Sequence, residues 1–275
     1  MHTPGMPLRV VAAVATVWTS PAAPRVVDAA AVADVPDPAA WLATLDAQDR
    51  TGGGGEDRLL TGRLGLHGRV DTQAVLGEPV LLVEPGADES PADDGWVQVV
   101  LPWQPSRRDP RGYPGWVRRA HLGPDVGGPP EPMPGGIPAG VLDRARTHLG
   151  LRYLWGGCSP LGLDCSGLVH TVWRSFGVVV PRDADDQQRV ARPVRIGAEL
   201  PGDLYFFAGP DGSVDHVGIV VEPGRMIDAA EGRGTVAEGP WNAHRRATLH
   251  SVGRLSLPEG AAGIALAPGP DSLPG

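Results

Sequence analysis

Cys158 and Cys165 are the two thiols in a chain of 275 residues. They are too few for a disulfide framework or a four-cysteine zinc site, so one of them is a candidate for reactivity. Cys165 follows a Gly-rich loop (Tyr153-Leu154-Trp155-Gly156-Gly157) and then Asp164, and it is expected to open a helix. The unpaired N–H groups and the dipole at a helix N-terminus favour an anion, and the thiolate is the nucleophilic form of cysteine. The competing reading is a small buried apolar side chain, which is common for a free cysteine, and spacing alone does not separate the two. Cys158 reads as a bystander near the same loop.

A nucleophile needs a base. Asp215-His216-Val217-Gly218-Ile219-Val220-Val221 puts His216 at the start of an apolar strand. Asp228 lies in the next strand pattern, after Arg225-Met226-Ile227, and two antiparallel neighbours bring the two side chains within reach of each other. Cys165, His216 and Asp228 then have the types needed for nucleophile, base and orienting group. A lone strand histidine is more often structural and a lone aspartate more often solvated; the case rests on all three falling in one unit. His244 and His250, taken with His216, match no zinc spacing, so neither a metal nor a cofactor is expected.

The elements that must position these residues follow from composition and pattern. All 24 basic residues are arginine, against 32 acidic ones, for a net charge of −8. Lysine chemistry and a P-loop are excluded, and the charge argues against nucleic acid. Gly and Pro make up about a quarter of the chain, which calls for many turns. No run is long enough to span a membrane. The apolar start, Leu8 to Trp18, reads as a strand in preference to a weak signal peptide. Residues 8–27 read as two strands around Ser20–Pro24, and 37–50 as a helix with Asp37 as N-cap and Pro38 in its first position. Gly52–Gly55 is a break. Strands are expected at Pro79–Glu84, Trp96–Leu101 and Trp116–Arg118, with a turn around Asp93-Asp94, and that spacing suggests a small all-β barrel with Trp96 and Trp116 in its core.

Residues 123–140 are two-thirds Gly and Pro and read as a domain linker; 258–275 read as a flexible tail. In between, Val141–Leu149, Cys165–Phe176 and Asp183–Val190 read as helices, with Gly150 and Gly177 as caps. Strand patterns follow at Asp203–Phe207, His216–Val221, Arg225–Ala229 and Leu249–Leu257. Helices first and an antiparallel sheet afterwards is an α+β layout.

The strings Tyr153–Gly157, Asp164-Cys165-Ser166-Gly167-Leu168, Pro181-Arg182-Asp183, Pro201-Gly202-Asp203-Leu204 and Asp215–Ile219 resemble, in order and spacing, the NlpC-type papain-like cysteine peptidases that cut bacterial wall peptides. The resemblance implies Cys165 as nucleophile, His216 as general base and the residue at 228 as their third partner. That third residue is most often His in the family, sometimes Asn or Gln, and here it is Asp228. It also places Tyr153 near the oxyanion, with the backbone N–H of Cys165.

In the first part of the chain, Leu76-Gly77-Glu78-Pro79-Val80, Gly95–Val99 and Gly112-Tyr113-Pro114-Gly115-Trp116-Val117 are similar to the bacterial SH3-like domain of one subgroup, the γ-D-glutamyl-L-diamino acid endopeptidases of murein recycling. For that subgroup the resemblance implies that Glu78, Tyr113 and Asp164 meet a free α-amine, which suits two carboxylates and a phenol. Read from its own surroundings, Glu78 is a solvated turn residue. Trp155 and Ser166 are implied beside D-Glu, and Arg182 and Asp183 on the neighbouring wall. Ala184 stands where some relatives carry a hydroxyl.

The expected organisation is an SH3-like domain over 1–122 with a helical insertion near 37–50, the linker 123–140, an NlpC-type domain over 141–257 and the tail 258–275. The expected activity is hydrolysis of the γ-D-Glu–diamino acid bond of murein-derived peptides in the cytoplasm. No cofactor, metal, nucleic acid or membrane partner is expected. The alternatives are a peptidase or amidase on intact wall stems and a silent peptide binder.

Overall fold

The structure, a computed structural model, describes residues 8–51, 61–83, 95–124 and 140–256. The expected Gly52–Gly55 break, the Asp93-Asp94 turn, most of the 123–140 segment and the 258–275 tail lie outside the described residues. The chain divides into two compact units that do not follow a single cut in the sequence. Residues 155–159 belong to the first unit and residues 104–107 to the second.

The first unit holds seven strands: β1 (Leu8–Val10), β2 (Val14–Trp18), β3 (Val70–Val75), β4 (Pro79–Leu82), β5 (Trp96–Leu101), β6 (Tyr113–Arg118) and β7 (Leu122–Pro124). They run in the order β3-β2-β6-β5-β4-β1-β7, and no closing pair joins β3 to β7 among the described residues. Their core is Val10, Ala15, Val17, Ala74, Val99, Leu101 and Val117 with their neighbours. A two-residue strand, β8 (Cys158–Ser159), belongs to the same unit.

Several expectations change here. Both early strands lie before Ser20, and Val26–Asp28 is a turn of 3-10 helix where a second strand was expected. Trp96 and Trp116 are only half-buried, and Arg118 covers Trp96 at 5.5 Å to the ring centre. Trp18 and Trp41 are the buried tryptophans of this unit, tilted against each other at 6.4 Å. The helix α2 (Pro38–Thr51), which follows the short α1 (Ala29–Val32), starts as expected. Pro38 is its first residue, and the Asp37 carboxylate accepts from the Ala40 N–H at 2.9 Å. Its Trp41 donates to the buried Asp28 at 2.8 Å, a bond that ties the helix to the Val26–Asp28 turn.

The second unit opens with α3 (Val141–Arg146) and a short strand β9 (Gly162–Leu163), then α4 (Cys165–Arg174) and α5 (Ala184–Val190). The sheet follows: β10 (Arg192–Val194), β11 (Leu204–Ala208), β12 (Val214–Glu222), β13 (Arg225–Ala230), β14 (Thr235–Pro240) and, after α6 (Ala243–Thr248), β15 (Leu249–Arg254). Its order is β10-β15-β11-β12-β13-β14, with antiparallel pairs throughout. On α4, Leu168, Val169, Val172 and Trp173 recur at helical spacing. They pack with Val217, Ile219, Ile227 and Ala229 of the sheet. Six fully buried aliphatic side chains of this kind contribute roughly 10 kcal/mol to holding α4 on the sheet. That packing sets where the first residue of α4 stands.

Candidate active site

Asp164 fixes the start of α4. Its Oδ1 accepts from the Gly167 N–H at 2.6 Å as the helix N-cap. Cys165 is therefore the first helical residue, as its sequence context predicts, and it is only partly exposed. Arg182, 1% exposed, closes a fork on the same carboxylate, with bonds of 3.0 Å to Oδ1 and 2.6 Å to Oδ2. Its guanidinium also donates to the Ser166 hydroxyl at 2.9 Å, and that hydroxyl reaches Asp164 at 3.3 Å. Asp164 Oδ1 thus meets three donors and Oδ2 one, and a full positive charge already faces it. Asp183 caps α5, and Ala184 is the first residue of that helix, with no hydroxyl to offer.

His216 and Asp228 sit on the neighbouring strands β12 and β13. Ile219 pairs with Ile227, so His216 and Asp228 are diagonal neighbours. The His216 Nε2 is 2.9 Å from Asp228 Oδ2. A carboxylate only accepts, so Nε2 carries the proton and Nδ1 is left for other work. Gly218, opposite Asp228, leaves room for Met226: a Cβ there would stand 2.5 Å from the Met226 sulfur. Burial works against a charged His216. The thiolate charge of Cys165, the bond to Asp228 and a hydrogen bond to Cys165 outweigh it and raise its pKa to about 9, while Arg245 acts the other way. The structure therefore brings Cys165, His216 and Asp228 into one interacting set.

Tyr153 stands beside them. Its N–H donates to the Gly234 carbonyl at 2.7 Å, and its ring packs on the unit's core. Burial, reinforced by the negative charges of Cys165, Asp164 and Glu231, pushes its phenol pKa up, so it stays a hydrogen-bond donor. Arranged together, a thiol at a helix N-terminus, an imidazole held by a carboxylate and a protonated phenol can attack a carbonyl carbon, move a proton and meet the oxygen that becomes charged.

The other expected residues fall in the first unit. Glu78 is fully buried, so it is not the solvated turn residue that its surroundings suggested; its Oε2 accepts from the Val75 N–H at 3.2 Å. Tyr113 is buried in the core of that unit, under the Arg108 guanidinium at 5.1 Å. Trp155 donates to the Val70 carbonyl at 3.0 Å and stacks on His67 at 3.7 Å. Cys158 is buried and donates to the Gln73 carbonyl at 2.9 Å, so it is a packed thiol. Three carboxylates, Asp183, Asp185 and Asp186, come within 4.8 Å of one another. Two of them are engaged by Arg107, through a 2.7 Å ion pair to Asp185 and a 3.0 Å backbone bond to Asp186, so the group is not shaped to receive a metal.

Two residues of the site carried no sequence signal. Arg233 reaches Asp228 Oδ1 at 3.3 Å, and Arg245 lies over the Phe207 ring at 5.1 Å, with Phe207 next to His216 at 5.8 Å. Neither belongs to a motif, and only the strand pairing brings them in. No described helix is long and apolar enough to cross a membrane.

Residues 150–253 match the model of the NlpC/P60 family. The chain is 29% identical over 288 residues to the gamma-D-glutamyl-L-lysine dipeptidyl-peptidase of Bacillus subtilis (strain 168), covering 82% of this chain and 89% of that one. It is 25% identical over 314 residues to the enzyme of the same name from Bacillus cereus (strain ATCC 10987 / NRS 248), covering 89% of each. A crystal structure of an NlpC/P60 family protein from Bacillus cereus ATCC 10987 superposes with a TM-score of 0.73 over 92% of this chain and all of that one, at 24% identity, and so shares the fold. With that domain match, and with similarity that runs through both units, residues 150–253 are an NlpC/P60 domain, and the chain is a hydrolase of the cysteine-peptidase type.

Proposed function

We propose that the chain hydrolyses the γ-D-Glu–diamino acid bond of murein peptides whose N-terminal L-Ala is free. Cys165 attacks the γ-carbonyl carbon, and the developing oxyanion is met by the Tyr153 phenol and the Cys165 N–H. His216, held in one tautomer by Asp228, gives its proton to the leaving amine. Water, deprotonated by the same ring, then cleaves the thioester and returns the thiol. The observation that carries this reading is the 2.9 Å bond between His216 and Asp228, with Cys165 acting on the same ring. The names of the two relatives that align through both units support the bond specificity.

In this reading residues 141–257 form a papain-like domain and residues 1–122 an SH3-like one, and the enzyme recycles wall peptides in the cytoplasm. The demand for a free amine is assigned to Glu78 and Tyr113 by resemblance alone. Trp155, Ser166, Arg182 and Asp183 are assigned to the substrate in the same way, and the bonds that Ser166 and Arg182 make with Asp164 give those two a supporting role.

The test is cleavage of L-Ala-γ-D-Glu-L-Lys and its N-acetylated twin, followed by mass spectrometry, with wild type and Cys165→Ala. Cleavage of the free-amine peptide alone, abolished in Cys165→Ala, is the expected result. Equal cleavage of both peptides turns the reading to wall remodelling, and cleavage of neither turns it to a silent binder.

A further inference from the structure

Asp228 is 1% exposed. A carboxylate that deep needs a partner on each oxygen. Oδ2 meets His216, and Oδ1 meets the Arg233 guanidinium at 3.3 Å. Arg233 reaches in from the turn that follows β13, where Glu231–Arg233 forms one turn of 3-10 helix closed by Gly234 at φ 71°. The Gly234 N–H donates to the Ala230 and Glu231 carbonyls, and its own carbonyl accepts from Tyr153. One short turn therefore holds the Tyr153 backbone and aims Arg233 at Asp228.

Charge gives the second argument. Arg233 is the guanidinium that faces the buried Asp228, on the side opposite the His216 bond. The other charged groups acting on these residues are Arg245, on His216, and Glu231 and Asp164, on Tyr153, with Asp164 matched by Arg182.

We propose that Arg233 is a positioning residue: by holding Asp228 Oδ1 it aims Oδ2 at the His216 ring, so that a carboxylate serves as the orienting group. This rests on the reading of Asp228 as the group that orients His216. Arg233 bonds the Asp228 carboxylate and acts on the ring through it. Its loss lets the carboxylate rotate, and the imidazole then loses its single tautomer.

The experiment needs no peptide substrate, so it stays readable whatever bond the enzyme cuts. Alkylation of Cys165 by iodoacetamide at pH 7 is followed by mass spectrometry of the Cys165 peptide, in the full chain. Wild type is compared with Arg233→Met, Arg233→Lys, Asp228→Asn and the double variant Asp228→Asn/Arg233→Met. Losing a hydrogen bond to a charged group predicts a rate about 10- to 100-fold lower for Arg233→Met, largely restored in Arg233→Lys. In the Asp228→Asn background, where no charge needs holding, Arg233→Met is expected to change the rate by less than about twofold. At a pH above the His216 pKa of about 9, where the ring is neutral, its ¹⁵N spectrum should report a proton on Nε2 in wild type and a mixture in Arg233→Met. Equal losses in both backgrounds would overturn the proposal and assign Arg233 to the turn, as would an unchanged rate and tautomer in Arg233→Met. An unchanged rate in Asp228→Asn would instead overturn the orienting role of Asp228. Should Arg233→Met not fold, Arg233→Gln takes its place in both backgrounds.

Discussion

Asp164 and Asp228 are two buried carboxylates of the second unit, and each bonds an arginine. One precedes Cys165 in the chain, and the other acts on it through the His216 ring. Their surroundings differ in one respect. Asp164 gives both oxygens to a buried guanidinium fork, and Oδ1 also caps α4. Asp228 shares its oxygens between a titratable ring and a guanidinium that is one-third exposed and held by one bond. A carboxylate whose bonds go to a permanent cation, a backbone N–H and a hydroxyl is scaffold. One that gives an oxygen to an imidazole can take part in proton transfer. The same pair of residue types thus does two jobs, and the partner of the second oxygen separates them.

The largest effect that tests this contrast is on stability. Arg182→Met leaves Asp164 buried with no cation beside it. Breaking a buried pair in this way costs about 3–5 kcal/mol, which for a chain of this size lowers Tm by about 10 °C. Arg233→Met leaves one oxygen of the buried Asp228 without its cation while His216 still holds the other, which costs about 1–3 kcal/mol, so its Tm should fall by less than that of Arg182→Met while thiol reactivity falls. Thermal melts followed by circular dichroism decide it. If Arg182→Met melts like wild type, the Asp164 fork is not the scaffold described here.

A second, smaller effect depends on pH. The His216 pKa is raised in the folded state, from 6.5 to about 9. Folded protein then binds the extra proton more tightly than unfolded chain does, so the contribution is complete below about pH 6.5 and is lost as pH rises to about 9. Its size is on the order of 3 kcal/mol. Urea midpoints measured from pH 6 to 10 should fall across that window in wild type. They should fall less in Cys165→Ser, which removes the largest of the raising causes, and not through this group in His216→Gln. Arg182→Met leaves the His216–Asp228 bond in place, so the same fall across that window should remain on a curve shifted to lower stability.

Much of this site was legible in the sequence because its positions are set by local rules. Asp164 before Cys165 is an N-cap before a helix, the apolar spacing from Leu168 to Trp173 marks the face that packs, and Asp215–Val221 reads as a buried strand. Strand β14 was missed: Thr235–Pro240 has Gly239 and Pro240 at its end and little apolar alternation, and it forms because β13 offers it an edge. With β14 unseen, the turn that carries Arg233 had no anchor, and so neither Arg233 nor its bond to Asp228 could be read. In the first unit, Val70–Val75 was missed for a related reason. Asp71, Thr72 and Gln73 interrupt its apolar pattern, and two of those polar residues are buried through bonds that only the folded unit supplies. Trp96 and Trp116 misled in the opposite direction, because large aromatic residues in strands suggest a core while here Arg118 covers one and smaller side chains fill the interior.

The smallest effect separates the two cations that act on this half of the site. Arg233 works through a bond to Asp228, whereas Arg245 bears on His216 through space, from above the Phe207 ring. Arg245 disfavours the imidazolium, so Arg245→Gln should move the His216 titration upward, by less than about one pH unit at the separations and screening of a partly exposed site. The tautomer should not change, because the 2.9 Å bond to Asp228 is untouched. Added salt should shrink the upward shift, since a partly exposed charge acting at a distance is screened, and it should leave the Arg233→Met effect nearly intact, since that effect is a lost contact with a buried group. NMR titration of the His216 ring at low and high salt reads both. A change of tautomer in Arg245→Gln would place Arg245, and not Arg233 alone, in contact with the orienting machinery.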